Sequence, residues 1–184
     1  MNDKEDHKLV EARPYIYCPW CASALVEKEH DGRIRLRCPN CDFVWYRNPI
    51  PAAGAIIYQD GEILMVRRKY PPRIGDWTFP AGFMEYDEAP TECCIREIKE
   101  ETGLEIKITG LFWNYAGHDD PRSNAVLMLY IAKIIGGVIT PGDDAAEVQF
   151  FALDKTPSNI AFQAHRDAIV HFREYLKSGQ FPAK

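Results

Sequence analysis

Glu97, Glu100 and Glu101 stand at i, i+3 and i+4 in the run Arg-Glu-Ile-Lys-Glu-Glu-Thr-Gly, residues 96–103. On a helix, at about 100° per residue, the three carboxylates share roughly a third of the circumference. Like charges so placed weaken a helix, and a divalent cation offsets that repulsion. Hard ions such as Mg²⁺ or Mn²⁺ take carboxylate oxygens and fill their remaining positions with water and substrate phosphates. The chemistry on offer is therefore that of a metal site acting on a phosphorylated substrate.

A second constellation lies near the start of the chain. Cys18-x₂-Cys21 and Cys38-x₂-Cys41, separated by 16 residues, have the spacing of a tetrahedral four-thiolate Zn²⁺ site. Such a site has no open position, so a structural role is expected. Cys93 and Cys94 are adjacent within the acidic helix and read as small buried fillers. Arg33, Arg35 and Arg37 alternate and so share one strand face. Beside Glu27, Glu29 and Asp31 they read as a solvated face, with contact to phosphate or RNA as the sharper alternative.

Elements must hold these groups in place. Residues 1–13 are polar and expected to be flexible. Residues 14–47 are too few to bury much of a core and need a metal to hold them; short strands are predicted at 24–29 and 33–37. Asn48-Pro49-Ile50-Pro51 reads as a rigid connector to a larger domain over 52–184. There, apolar runs at 52–58 and 62–68 flank Gln59-Asp60-Gly61 and predict a hairpin. The helix is predicted over 88–102, with Pro90 in its first turn and Gly103 ending it. Thr91, Cys94, Ile95, Ile98 and Thr102 form its expected inward face. Strands are predicted at 106–115, 125–135 and 147–153, and an amphipathic helix at 160–176, with Ile160, Ala164, Ala168, Phe172 and Leu176 or their neighbours facing inward. Helices and strands mix without regular alternation, which makes the class α+β.

Composition narrows the function. The chain has 184 residues and a net charge of −5, which argues against gripping a nucleic-acid backbone as its main task and leaves RNA open. No run of about 18 apolar residues is present, so no membrane span is expected. The charged start, Met-Asn-Asp-Lys-Glu-Asp-His-Lys, lacks an apolar leader, and with the paired cysteines it predicts a reducing, cytoplasmic setting.

Gly82-x₅-Glu88-x₇-Arg96-Glu97-Ile98-x-Glu100-Glu101-x-Gly103-Leu104 resembles the complete signature of the Nudix hydrolases, matched at every position. The resemblance implies an α/β/α sandwich with the signature folded as loop, helix, loop. It implies metal-dependent hydrolysis of a nucleoside diphosphate linked to another moiety. Glu97, Glu100 and Glu101 become the Mg²⁺ or Mn²⁺ ligands, with the carbonyl of Ala81 or Gly82 completing the shell. Such ions bridge pyrophosphate oxygens and acidify a bound water, whose proton passes to one of these glutamates or to another carboxylate. Arg96 and Glu88 become an ion pair orienting the loop. Families of this type draw a further glutamate from a loop near the last strand; Glu147 is the expected one, ahead of Asp143 and Asp144.

A zinc ribbon preceding such a domain resembles two groups. The NADH pyrophosphatases, also proposed to act on NAD-capped RNA, carry a Ser-Gln-Pro-Trp motif after the signature. Residues 108–117, Ile-Thr-Gly-Leu-Phe-Trp-Asn-Tyr-Ala-Gly, lack it. The other group is similar to plant FAD and ADP-ribose pyrophosphatases. It matches through Tyr46-Arg47-Asn48-Pro49, residues 75–82 and Phe151-Ala152-Leu153-Asp154 with Ile160-Ala161-Phe162. The expected activity is cleavage of ADP-ribose or FAD to AMP plus ribose 5-phosphate or FMN. The alternatives are an NADH or NAD-cap pyrophosphatase and a sensor that binds a nucleotide without cleaving it. Adenine calls for an aromatic platform, expected from Trp77, Trp113 and Tyr115, and Arg67 or its neighbour Arg68 is expected to reach a phosphate. A homodimer is expected, as in many ADP-ribose hydrolases.

Overall fold

The computed structural model describes residues 15–179, so the segment expected to be flexible at 1–13 lies outside them. β1 (Val26–His30) and β2 (Arg33–Arg37) form the predicted antiparallel ribbon, and β3 (Val44–Trp45) joins β2. Asp31 and Gly32 take φ of 53° and 73°, the left-handed pair that a tight two-residue hairpin turn requires. Among the described residues before Ile50, only Cys18 and Cys38 are buried. Among the described residues, the module buries no apolar side chain beyond these two cysteines.

The larger unit runs β4 (Ile50–Gln59), β5 (Glu62–Arg68), β6 (Trp77–Thr78), β7 (Ala81–Phe83), α1 (Pro90–Thr102), β8 (Leu104–Gly117), β9 (Ala125–Gly137), β10 (Ala145–Ala152) and α2 (Gln163–Ser178). Its main sheet has the order β10-β5-β4-β9-β8, with β6 on β5 and β7 on β4. β4 and β9 pair in parallel and the other pairs are antiparallel, so the sheet is mixed and the class is α+β. β4 starts earlier than its sequence suggests. Ile50 and Pro51, read as connector, open the strand because Ile50 pairs with Ala125 and donates to the Asn124 carbonyl at 2.9 Å.

Period-two alternation in the central strands sends side chains into two cores. Ala53, Ala55, Ile57 and Leu64 pack with Cys93, Cys94 and Ile98 of α1. Ile56, Met65, Phe112 and Leu129 pack with Ala164, Ala168 and Phe172 of α2. One helix on each side makes the α/β/α sandwich. Both helices differ in detail from their patterns. In α1, Thr91 and Ile95 are exposed while Cys93 and Glu101 are buried, Glu101 being held inward by the Ala81 backbone N–H of β7. In α2, Ile160 is buried but precedes the helix, bridging to Trp77, and Leu176 faces water. No helix among the described residues is long and apolar enough to cross a membrane.

Candidate active site

The ends of α1 are set locally. Pro90 occupies the first turn, where a missing N–H costs nothing, and Glu92 accepts from the Ala89 N–H at 2.7 Å. Gly103 closes the helix at φ 72°, its N–H bonded to the Lys99 carbonyl at 3.0 Å. The loop ahead of α1 lies directly on the carboxylates. A Cβ added at Gly82 would sit 2.1 Å from the Glu97 carboxyl carbon, so a larger residue there would displace the Glu97 carboxylate from its present place.

Arg96 ties the assembly together. Its Nη2 and Nε grip Glu88 at 2.6 and 3.0 Å, Nη1 reaches Glu97 at 2.7 Å and Glu100 at 3.0 Å, and Nη2 also donates to the Phe83 carbonyl at 3.1 Å. The fork-like grip on Glu88 holds that carboxyl down at about 2. Glu101 has no such partner: its Oε2 accepts from the Ala81 N–H at 2.9 Å. Burial pushes the Glu101 carboxyl well above its usual range, and neighbouring Glu97 and Asp144 push the same way. Burial also raises Glu97, against the pull of Arg96. One guanidinium thus serves three carboxylates while a fourth is buried beside them. An all-oxygen donor set with excess negative charge fits a hard divalent cation.

These groups line a cleft of about 530 Å³. Glu97, Glu100, Glu101 and Ala81 all face it, as do Arg68, Phe83, Arg122, Asp143, Asp144, Phe162 and His165. The His165 Nδ1 accepts from the Phe79 N–H at 3.1 Å, and burial pulls its pKa to about 4, so the ring is neutral with its proton on Nε2. Asp120 and Arg122 form a two-point pair at 2.8 and 3.1 Å. The Arg122 guanidinium lies 5.9 Å from the Phe83 ring, and that of Arg68 lies 5.2 Å from the Phe162 ring.

Several residues expected at the site lie elsewhere. Glu147 is not part of the cleft wall; it faces Arg67 across the β10–β5 ladder and pairs with it at 3.5 Å. A register shift between Ala145 and Glu147 separates it from Asp143 and Asp144, which do line the cleft. Arg67 is likewise turned away, because adjacent strand residues point to opposite sides and Arg68 takes the inner one. Trp77 is buried with its ring 4.7 Å from Phe151. Tyr115 is buried with its hydroxyl 3.0 Å from His171 Nδ1, and Trp113 packs against the same core. The cleft's own aromatics, Phe83 and Phe162, were not among the rings expected to hold adenine. The cue for Phe83 was its place directly after the first signature glycine, and that for Phe162 its place in the Ile160-Ala161-Phe162 match.

The four cysteines converge. Their sulfurs lie within 4.8 Å of one another, with Cys21–Cys38 at 3.4 Å, Cys18–Cys41 at 3.6 Å and Cys21–Cys41 at 3.7 Å. A tetrahedron with metal–sulfur bonds of about 2.3 Å has edges of about 3.8 Å, so the set fits a zinc-sized ion. The two halves repeat one geometry: the Trp20 N–H points to Cys18 Sγ and the Asn40 N–H to Cys38 Sγ, both at 3.4 Å.

Comparison with known proteins agrees with this geometry. Residues 48–172 match the NUDIX domain model. An ADP-ribose pyrophosphatase of Methanocaldococcus jannaschii is 42% identical over 118 residues, covering 64% of this chain and 69% of that protein. An NAD-capped RNA hydrolase, NudC, of Pseudomonas aeruginosa is 29% identical over 150 residues, covering 79% of this chain. The chain spans about half the length of that hydrolase, 51%. The crystal structure of a NUDIX hydrolase from Nitrosomonas europaea superposes with a TM-score of 0.80 at 29% identity, over 92% of this chain and 97% of that one. A full signature folded as loop, helix and loop on an α/β/α sandwich, together with a matching domain model, places the chain in the NUDIX hydrolase family.

Proposed function

We propose that the chain hydrolyses the diphosphate bond of an ADP-linked nucleotide, ADP-ribose or FAD, to AMP plus ribose 5-phosphate or FMN. The observation that carries this reading is one cleft joining Glu97, Glu100 and Glu101 to Arg68, Arg122 and the rings of Phe83 and Phe162. Carboxylates suit a cation, guanidinium groups suit phosphate oxygens, and rings suit a base.

Glu97, Glu100 and Glu101, with the Ala81 carbonyl, are the proposed ligands of Mg²⁺ or Mn²⁺, which supplies charge neutralisation at the diphosphate and acidifies water. Arg96 keeps Glu97 and Glu100 in place and locks the loop through Glu88. Arg68 and Arg122 receive the phosphate oxygens. Asp144 replaces Glu147 as the fourth carboxylate, since it acts electrostatically on both Glu101 and Arg68. Water attacks one phosphorus, the bridging P–O bond breaks, the leaving phosphate takes the bond pair, and a cleft carboxylate oxygen takes the water's proton. Cys18, Cys21, Cys38 and Cys41 hold structural Zn²⁺. The same proposal includes a homodimer, for which exposed Ile135, Val138 and Ile139 at and beyond the end of β9 offer an apolar surface.

The test is incubation with Mg²⁺ or Mn²⁺ and ADP-ribose, FAD, NADH and NAD-capped RNA, with products separated by chromatography. AMP released fastest from ADP-ribose or FAD is the expected result. Preference for NADH or capped RNA would move the assignment to the NAD-cap reading. Absence of product from every substrate would sink hydrolysis itself and leave a nucleotide sensor.

A further inference from the structure

Read along the sequence, Glu27, Glu29 and Asp31 neutralise the arginines of β2; the strand register separates them. Directly opposed residues of an antiparallel pair share a face. Lys28 opposes Arg35, His30 opposes Arg33 and Val26 opposes Arg37, whereas Glu27 opposes Leu36 and Glu29 opposes Ile34. One face therefore carries Lys28, Arg33, Arg35 and Arg37, and both strand glutamates lie on the other. Asp31, in the turn, reaches only His30, at 3.4 Å. Among the described residues, no carboxylate stands within ion-pair distance of the four cations. Arg35 Nε and Arg37 Nε are themselves buried without a hydrogen-bond partner, so exposed Lys28 and Arg33 and the outer guanidinium nitrogens of Arg35 and Arg37 carry the accessible charge.

The face is braced as well as charged. The Arg35 guanidinium lies 4.7 Å over the Tyr46 ring, whose hydroxyl is 3.1 Å from His30 Nε2. Opposed like charges such as Lys28 and Arg35 destabilise a sheet, so stability alone does not call for this row. A polyanion rewards it. At about 3.3 Å per residue, Arg33 and Arg37 stand about 13 Å apart, a length matching about four nucleotides of a stacked single strand. The tether matters too. Trp45 and Ile50 are five residues apart, a reach of at most about 18 Å, and Ile50 pairs with the cleft-lining Ala125.

We propose that this ribbon face binds the sugar-phosphate backbone of single-stranded RNA. RNA, as opposed to DNA, follows from the ribonucleotide chemistry proposed for the cleft, and in that respect the inference rests on the hydrolase reading. Binding is measured without turnover, so the two fail separately.

The experiment uses the full chain with its bound metal and a fluorescent single-stranded oligoadenylate of about ten nucleotides, followed by anisotropy. Binding is expected to saturate, and log K to fall against log salt with a slope of about −2 to −3, as neutralising three or four phosphates requires. Reversing Arg33, Arg35 and Arg37 together to Glu should lower affinity about tenfold or more and flatten that slope. Glu27→Gln with Glu29→Gln should leave both unchanged. Unaltered metal content and unaltered cleavage of ADP-ribose would show that the reversed variant is folded. If it loses its metal, Lys28→Gln with Arg33→Gln, at two exposed positions, provides the same test with a drop of about threefold. Failure to saturate at about 50 mM salt, or wild-type affinity in the reversed variant, overturns the proposal. So does a change of oligomeric state on reversal without RNA binding, which would assign the face to a second copy of the chain.

Discussion

Glu101 keeps a carboxylate where the protein admits almost no water, beside Glu97 and with one backbone N–H as its partner. Burying a charge without a counter-charge is costly, so the position makes sense as half of a cation site. Glu101→Gln keeps the shape and the hydrogen bond from Ala81 but discards the charge. It should lower kcat for ADP-ribose by about 100-fold or more while leaving the thermal midpoint unchanged or higher. Near-normal turnover would remove Glu101 from the metal shell, and a large loss of stability would mean the carboxylate serves the fold.

At the scale of elements, the site depends on α1 stopping where it does. Gly103 takes a left-handed conformation, and a Cβ there would lie 2.6 Å from the Val138 carbonyl. Gly103→Ala should therefore cost about 1–2 kcal/mol or more in urea unfolding, from left-handed backbone and crowding together. An unchanged midpoint would show that the β9–β10 loop yields freely. The C-terminal boundary of α1 was legible because Gly103 acts within one turn of itself; the start, expected at 88, falls at Pro90, with Ala89 as the cap. The buried face of α1 was less legible. Ile95 outranks Glu101 on any hydrophobic scale, yet Glu101 is inside, because the Ala81 N–H of β7 claims it.

The whole molecule joins two units held by different forces. The sandwich has an apolar core on each side of its sheet, whereas the ribbon buries little besides Cys18 and Cys38. With the Zn²⁺ proposed for its four thiolates, its stability would come from metal binding, as in small zinc modules. Chelation should release protection from amide exchange across residues 15–47 and leave that of the NUDIX unit largely intact, as exchange mass spectrometry would record. Simultaneous loss in both would mean that the units fold as one.

From the sequence alone came the three helix glutamates, the four thiols, the hairpins and the C-terminal limit of α1. These depend on spacing along the chain, which helical periodicity and turn chemistry translate directly into local geometry. The tertiary structure decided which side of each strand meets the cleft. It took Arg68 over Arg67, Asp144 over Glu147, and Phe83 and Phe162 over Trp77, Trp113 and Tyr115, and it sent Glu27 and Glu29 away from the basic face. The physical reason is the two-residue repeat of strands: a one-residue change of register or a single bulge exchanges inside for outside, and only pairing with distant strands settles it.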